Sequence, residues 1–344
     1  MAVAISPPPK VVGPLQKKRT KATKQLPQSL ADTARRVERT TFDPRKHLNY
    51  TTPEKVYSMK DIGLEGRGIS ATALTTPFSL FTEEAINQMR AELFDPEILE
   101  NYHVCSDFAS NMLKGFGPQR APFIHAVWNS PKVLEIMSNL LGMEVVPVFE
   151  YEVGHTNVSV NSESDTSSDV QTHSIPEEDE SAFSWHFDSV PFVCVTMLSD
   201  CTGMVGGETA VRLGTDEVMK VRGPTKGCSV VMQGRYIEHQ ALKAHGGGER
   251  ITMVTSFRPK SALVKDETVL VGFRPISHLP EIYKQYSEYR LENLEERIRH
   301  QIRKVRERER AQLIFDTAAM KNFLREQREY IDITLEELVE DSDS

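Results

Sequence analysis

Cysteine is scarce in this chain of 344 residues, with four in total and no Cys-x-x-Cys pair among them. Disulfide scaffolds are short secreted chains that are dense in cysteine, and structural zinc sites use closely spaced cysteine pairs. The sequence therefore argues against both, and we expect an intracellular protein with reduced thiols. The four cysteines are Cys105, Cys194, Cys201 and Cys228.

Long apolar runs are also missing. The longest strongly apolar stretch, residues 190–198, contains Pro191 and Thr196, whereas a membrane-spanning helix needs about 20 apolar residues. The first residues lack the apolar segment of a secretory signal. We therefore expect a cytoplasmic protein without a membrane partner. The nucleus is the alternative, because residues 17–21 resemble a nuclear-localisation pattern.

An excess of basic charge is absent, since 41 Lys and Arg against 49 Asp and Glu give a net charge of −8. This balance makes nucleic acid an unexpected partner. The charge is nevertheless uneven along the chain. Residues 1–60 are basic and have few apolar side chains, which predicts a disordered tail. Residues 161–181 are acidic and rich in serine, which predicts a flexible insertion.

Short β-rich segments dominate the middle of the chain, and glycine and proline separate them. Many short strands at this spacing predict a β-sandwich or barrel. Helical spacing of apolar residues precedes them, after the candidate N-cap Thr82 and in residues 130–141, where Gly142 ends the pattern. The fold class is therefore mainly β with flanking helices (α+β). The β-rich segments are residues 192–198, 209–213, 217–221, 229–232 and 251–257.

The last part of the chain, residues 276–344, has helical periodicity. Asp316 is a candidate N-cap for its second helix. We expect a helical hairpin that packs on the β core through its apolar stripes. A free coiled coil is the alternative, although no heptad repeat is sustained. The stripe of the first helix consists of Leu291, Leu294, Ile298, Ile302 and Val305.

A His-x-Asp pair, His186 and Asp188, carries the first chemical signal. Residues two apart on a strand point to the same face, so the imidazole and the carboxylate can bind one metal together. His239 follows downstream, after an apolar strand at residues 229–232. Two histidines and one carboxylate leave coordination positions open, which suits non-haem Fe(II) with a co-substrate and O₂.

Two further predicted strands supply groups for a co-substrate. Arg250 and Thr252 lie two apart, so that a guanidinium and a hydroxyl can grip one carboxylate. Tyr151 lies in the strand-like segment 145–153, where its hydroxyl can reach a co-substrate; strand packing is the alternative. His155 and Asn157 follow it, and both a turn and a substrate contact remain open there.

The order of these motifs resembles that of the Fe(II)/2-oxoglutarate-dependent oxygenases, over roughly residues 145–260. The family pattern is His-x-Asp, Gly-Gly-Glu at residues 206–208, a distal histidine, and Arg-x-Thr. In its Trp-His-x-Asp form, its length and its helical tail, the chain most resembles oxygenases of fungal natural-product and amino-acid metabolism. One departure is Gln240, because many members have arginine after the distal histidine.

The resemblance implies a double-stranded β-helix (a jelly-roll, cupin-like core) in residues 61–275, between N-terminal helices and a C-terminal helical hairpin. It implies Fe(II) as the metal, with 2-oxoglutarate and O₂ as co-substrates. The predicted iron ligands are His186, Asp188 and His239. The predicted 2-oxoglutarate contacts are Arg250, Thr252 and Tyr151.

The implied reaction couples decarboxylation of 2-oxoglutarate to succinate with oxidation of a substrate C–H bond. Hydroxylation, desaturation and oxidative cyclisation all remain open, and the expected substrate is a small molecule such as an amino acid or a secondary metabolite. Two alternatives remain: a protein side-chain hydroxylase of the prolyl-hydroxylase type, and a non-enzymatic barrel that binds a metal or ligand. The sequence leaves the oligomeric state open.

Overall fold

The computed structural model describes residues 20–22, 26–105, 111–160 and 185–340. The predicted acidic insertion at 161–181 lies outside these ranges, as do residues 17–19 of the basic motif. The helices are α1 (Gln28–Arg35), α2 (Pro44–His47), α3 (Glu83–Leu93), α4 (Pro96–Asn101), α5 (Gly117–Arg120), α6 (Pro122–Trp128), α7 (Pro131–Leu141), α8 (Leu279–Arg310) and α9 (Thr317–Glu337).

The strands are numbered in chain order, and two short 3₁₀ helices interrupt them at Glu150–Glu152 and Arg274–Ile276. The strands are β1 (Thr20–Lys21), β2 (Val56–Ser58), β3 (Thr72–Thr75), β4 (Phe78–Ser79), β5 (His103–Cys105), β6 (Met112–Leu113), β7 (Val145–Pro147), β8 (His155–Val160), β9 (Phe192–Met197), β10 (Val205–Gly206), β11 (Thr209–Arg212), β12 (Val218–Val221), β13 (Cys228–Met232), β14 (His239–Ala241), β15 (Ala244–His245) and β16 (Glu249–Pro259).

Two sheets face each other across the core. The larger has 11 described strands in the order β1-β5-β6-β8-β16-β9-β13-β3-β2, with β4 beside β13 and β7 beside β16. The smaller layer contains β12-β11-β14 and the pair β10-β15. Val193 and Met232 of the large sheet share one buried cluster with Val211 and Val221 of the small one. Together the sheets form the predicted double-stranded β-helix, and the α+β fold class is confirmed.

The side chains of the long strand β16 alternate between the outer and the inner side of the large sheet. Ile251, Met253 and Phe257 point outward into a cluster with the N-terminal helices α3, α6 and α7. Because side chains alternate along a strand, Arg250 and Thr252 point inward, toward the small sheet. The sequence pattern of β16 therefore separates a packing face from a face that is available for chemistry.

The N-terminal region differs from its prediction. A disordered tail over residues 1–60 is wrong for residues 26–60, while residues 1–19 and 23–25 lie outside the described ranges. Leu30 and Ala34 of α1 are buried in the same cluster as α3, and His47 is buried against Phe123, with ring centroids 5.0 Å apart. The low overall hydrophobicity of this segment conceals a few apolar residues that lie on one helix face.

The C-terminal hairpin is confirmed, but the predicted inward face of α8 is wrong, whereas Tyr330 of α9 is buried as its spacing predicts. Arg290 of α8 is buried beneath α9, where its guanidinium lies 3.3 Å from the centroid of the Tyr330 ring and donates to the Tyr330 carbonyl at 2.7 Å. Tyr286 and Tyr289 pack toward the core. The more apolar stripe faces away, and Leu291 is 64% exposed. None of the helices in the described ranges is long and apolar enough to cross a membrane.

Candidate metal centre

The structure brings the three predicted metal ligands together. His186 Nε2 lies 3.6 Å from Asp188 Oδ1, and His239 Nε2 lies 3.7 Å from the same oxygen. The two imidazole centroids are 4.3 Å apart. All three ligand atoms lie within 4.8 Å of one another, close enough to bind one ion.

Backbone hydrogen bonds position this group. His186 and His239 exchange N–H···O=C bonds of 2.9 and 3.0 Å, which joins the segment at 185–190 to the start of β14. The Asp188 N–H donates to the Gly234 carbonyl at 3.0 Å. A Cβ at Gly234 would lie 1.7 Å from Asp188 Oδ2, so the carboxylate occupies its place only because residue 234 is glycine.

The electrostatics of the ligands favour metal binding. His239 Nδ1 lies 2.9 Å from the Ile237 carbonyl, so it donates there and leaves the lone pair of Nε2 toward Asp188. Burial lowers the pKa of His239, although the neighbouring Asp188 carboxylate opposes this shift. Burial also opposes charge on Asp188, but His239, His186 and Arg235 outweigh it and hold the pKa of that carboxyl below its usual value. Neutral imidazole and ionised carboxylate are the forms that coordinate metals.

One atom provides a test of fit for a metal ion. Asp188 Oδ2 is buried and has no hydrogen-bond partner among the described residues. Leaving a buried polar group unsatisfied costs about 1–3 kcal/mol, and more when the group is charged. The oxygen that faces the two imidazoles is Oδ1, 3.6 and 3.7 Å from their Nε2 atoms, and a cation beside it would offset the negative charge of this carboxylate. Two nitrogen donors and one carboxylate suit Fe(II) with open positions.

Arg250 reaches from the large sheet to the small one. Its buried Nε has no hydrogen-bond partner in the described part of the chain, and it lies 3.6 Å from where a Cβ on Gly207 would be. The Gly207 N–H donates to the Lys243 carbonyl. Lys243 follows His239 by four residues, which corresponds to about 13 Å along an extended chain. Burial lowers the pKa of Arg250, but arginine remains a cation.

Thr252 lies two residues from Arg250 on the same inward face and is 2% exposed. An arginine donor without a partner, beside a hydroxyl, suits the anionic end of a small molecule. A cavity of about 580 Å³ adjoins Arg250 from the far side. Neither it nor a neighbouring cavity of about 110 Å³ is lined by the metal ligands. Arg250 therefore borders two cavities that the candidate metal ligands do not line.

One row on the inward face of the large sheet is less tightly packed than the outward face, and we call the region that it faces the chamber. His155, Val254 and Val195 are registered neighbours on β8, β16 and β9, and all three retain partial exposure. Outward-facing Val158 and Met253 are 2% and 0% exposed. The inward row is therefore more accessible than the outward face of the same strands.

Polar groups form one wall of this chamber. Asn157 pairs across the strands with Thr252. The atoms His155 Nε2 and Asn157 Oδ1 are buried without a hydrogen-bond partner among the described residues. Burial, and then the charge of Lys114, hold the pKa of His155 well below its usual value. Lys114 itself forms a buried ion pair with Glu152 at 2.7 Å. The wall is therefore polar but carries no net charge.

Tyr151 does not take its predicted place as a 2-oxoglutarate contact. The segment predicted as one strand ends after β7, and Tyr151 lies in the 3₁₀ helix that follows. Its ring is 2% exposed, and its hydroxyl accepts a hydrogen bond from the His278 N–H at 2.8 Å. The break in the strand turns the side chain into the aromatic cluster beneath α8, which contains Tyr286.

Sequence reasoning placed the ligands and Arg250 but missed the residues that shape the space around them. Gly207 was visible only as part of a motif, and its φ of +77° matches a backbone conformation that favours glycine. Gly234 gave no sequence signal, because its role depends on contact with Asp188, which is distant from it in the sequence. His155 and Asn157 could not be distinguished from turn residues before their pairing with β16 was known.

Neither a protein-family model nor a curated protein matches this chain. Solved structures similar to it include a prolyl 4-hydroxylase from Phytophthora capsici, at 14% identity and a TM-score of 0.36, over 75% of this chain and 88% of that one. A Pseudomonas putida prolyl-4-hydroxylase matches at 16% identity and 0.34, over 52% and 88%. A 2OG-Fe(II) oxygenase family member from Burkholderia pseudomallei matches at 13% and 0.31, over 43% and 66%. Likeness at this level does not assign a function.

Proposed function

We propose that this chain is an Fe(II)- and 2-oxoglutarate-dependent oxygenase that acts on a small molecule. One observation carries the proposal: His186, Asp188 and His239 converge within 4.8 Å, and one oxygen of the Asp188 carboxylate lies within 3.7 Å of both imidazole Nε2 atoms. Arg250, on β16 of the large sheet, directs its unpartnered Nε toward Gly207 of the smaller layer, which also contains His239. We infer that an anion site at Arg250 and a metal site at His239 belong to one barrel.

Each residue has a distinct role in this proposal. His186, Asp188 and His239 hold the iron, and bound iron with 2-oxoglutarate and O₂ supplies the oxidation of a C–H bond as 2-oxoglutarate becomes succinate. Arg250 donates to the distal carboxylate of 2-oxoglutarate, and the Thr252 hydroxyl assists. Val195 and Val254 form the apolar part of the row that also contains His155, and they limit the access of water to the reacting groups.

The enclosed chamber favours a small substrate, because its accessible inward row is surrounded by the two sheets. An amino acid or a secondary metabolite is the proposed class, in keeping with the resemblance to fungal oxygenases. Hydroxylation, desaturation and oxidative cyclisation all fit the same residues. Product analysis by mass spectrometry separates them, as a gain of one oxygen, a loss of two hydrogens, or that loss with a new ring.

The test begins without oxygen. Fe(II) and 2-oxoglutarate are added anaerobically, and the weak visible charge-transfer band of their chelate is recorded. We expect the band in the wild-type protein and in His245→Ala, a matched control at an exposed histidine of β15. We expect its loss in His186→Ala. A wild-type protein without the band, or an equal band in His186→Ala, would contradict the proposal.

Oxygen is then admitted and succinate is measured with pools of amino acids, metabolites and peptides. Succinate that rises only with the small molecules supports the proposed substrate class, and succinate that rises only with peptides favours the protein hydroxylase. A band without succinate under any condition favours the non-enzymatic barrel.

A further inference from the structure

The C-terminal hairpin carries an apolar face that the rest of the described chain leaves uncovered. Leu291 and Leu335, near its base, are 64% and 65% exposed, and Ile302 and Leu324, toward its tip, are 43% and 56% exposed. Single exposed apolar residues are normal on a protein surface, but a contiguous group of them marks an interaction site. We call this the hairpin face. It consists of Leu291, Leu294, Ile298, Ile302 and Val305 of α8 and Leu324, Ile331 and Leu335 of α9.

Helix geometry places both stripes on one side of the hairpin. On α8, residues Arg290 and Asn293 contact α9, and the stripe lies about 110° around the helix from that contact, at about 100° per residue. On α9, Tyr330 contacts α8, and the apolar stripe of α9 lies about 100° around the helix from that contact. When both helices are viewed from the same end, this rotation has the opposite sense to the rotation on α8. Because the helices are antiparallel, the two rotations point to the same side. The hairpin face is therefore continuous across both helices.

The loop between the helices extends this face. Leu313, Ile314 and Phe315 are each more than half exposed. Apolar side chains thus run from the base of the hairpin, beside the barrel, to its tip.

The charges along the hairpin face reverse from base to tip. On α8, Glu288, Glu292 and Glu295 lie toward the base, and Arg299, Arg303 and Arg306 lie toward the tip, where basic residues outnumber Glu307 and Glu309. Within α8, Arg299 and Arg303 also form exposed ion pairs with Glu295 and Glu296. On α9, the order along the chain is basic first and acidic later, which gives the same polarity because the helix runs the other way. Its tip has Lys321, Arg325 and Arg328, and its base has Asp332 and Glu336.

We infer that a second copy of this chain covers the hairpin face, with the two hairpins antiparallel and related by a two-fold axis. A two-fold interface joins the same surface on both subunits, so it must be complementary to itself. In the antiparallel arrangement, the basic tip of each hairpin lies against the acidic base of the other. The apolar stripes then meet along the full length, as in a four-helix bundle. This dimer does not depend on the metal site.

The first test removes the apolar contact. Light scattering and sedimentation of the full chain should give a dimer for the wild type and a monomer for Ile298→Asp/Ile331→Asp. The dissociation constant of the dimer should rise at least 100-fold in this variant. Val218→Asp is the matched control, because this residue is 48% exposed on β12, remote from the hairpin. Unchanged circular dichroism would show that the exposed substitutions leave the fold intact.

The second test reverses the charges. Arg306→Glu/Arg325→Glu lowers the positive charge of the tip, and Asp332→Lys/Glu336→Lys lowers the negative charge of the base; each should weaken the dimer about tenfold. A chain that carries all four substitutions should dimerise more strongly than either pair alone, because the substituted positions of tip and base again carry opposite charges. At 1 M salt, where the screening length is about 3 Å, these differences should disappear.

Three results would overturn the inference. The first is a wild-type chain that is monomeric at micromolar concentration, and the second is a dimer that survives Ile298→Asp/Ile331→Asp. The third is a chain with all four charge substitutions that dimerises no more strongly than the chains with either pair alone. A monomeric wild type that binds vesicles containing phosphatidylserine would assign the hairpin face to an anionic membrane instead.

Discussion

The two sides of the large sheet are built from the same strands but differ in what they leave unsatisfied. On the outer side, Val158, Cys194 and Met253 are at most 2% exposed and pack against the N-terminal helices. On the inner side, His155 and Asn157 are partly accessible and carry buried polar atoms that have no partner in the described residues.

This difference separates stability from function along each strand. Burial of apolar surface stabilises the fold by about 25 cal/mol per Å², whereas an unsatisfied buried polar atom costs free energy. The inner side therefore retains groups that destabilise the unliganded protein and that a ligand would satisfy. Substitutions on the outer side should change folding and leave ligand binding intact, and substitutions on the inner side should do the reverse.

The largest expected effect is the loss of metal binding in Gly234→Ala. A new Cβ would displace the Asp188 carboxylate, so we expect binding as weak as in His186→Ala, with the fold retained. Calorimetry with Mn(II) under anaerobic conditions measures it. Gly248→Ala is the matched control, because a Cβ there meets no atom within 4 Å. Equal metal affinity in both glycine variants would show that Gly234 does not position the Asp188 carboxylate for metal binding.

The next effect belongs to the outer side. Trp128 on α6 is fully buried between Phe81 and Phe257, with ring centroids 5.6 and 5.9 Å away. Trp128→Ala should lower the free energy of unfolding by about 3–5 kcal/mol. Urea unfolding measures this loss, and metal affinity per folded molecule should not change. A fall in metal affinity comparable to that of Gly234→Ala would break the separation between the two sides.

A smaller effect is expected at Arg250. Arg250→Met removes the donor for a carboxylate, so 2-oxoglutarate should bind about 30-fold more weakly in the presence of Mn(II), which corresponds to about 2 kcal/mol. The free energy of unfolding should stay the same or rise, because the buried Nε lacks a partner in the described structure. Arg222→Met is the control, since this exposed arginine lines the same cavity. Similar weakening in both variants would indicate a general charge effect.

The fold was predictable where the signals are local. Thr82 caps α3 by accepting from the Ala85 N–H at 3.3 Å, and Gly142 ends α7 with a φ of +70°, both as the residue types predict. The pairing of β8 with β16 joins residues nearly a hundred positions apart, and no local pattern encodes it. The buried face of α8 was also missed, because Arg290 and Asn293 contribute to it and a hydrophobicity pattern counts neither.

The site shows the same limit. The proximity of His186, Asp188 and His239 was predictable because a metal site would restrict the residue types and their order along the chain. Tyr151 was placed wrongly because a strand pattern continues through the sequence where the backbone forms a 3₁₀ turn. The chamber wall required the cross-strand register, since only that register places Asn157 beside Thr252.

The smallest effect at neutral pH distinguishes two buried histidines, one on each side of the sheet. Burial lowers the pKa of His125, on α6, to about 4, and that of His155 lies well below its usual value. A neutral folded histidine contributes stability that is complete above pH 6.5, where the unfolded histidine is also neutral. That stability is lost as the pH falls toward the folded pKa, because the unfolded chain binds the additional proton.

His125→Phe and His155→Phe should therefore both make the free energy of unfolding fall less steeply between pH 6.5 and 4, as measured by urea unfolding across that range. Only His155→Phe should alter substrate-dependent succinate formation, because only that ring faces the chamber. An unchanged pH slope in either variant would mean that its histidine takes up a proton in the folded state. Loss of substrate response in His125→Phe would mean that the outer layer also shapes the chamber.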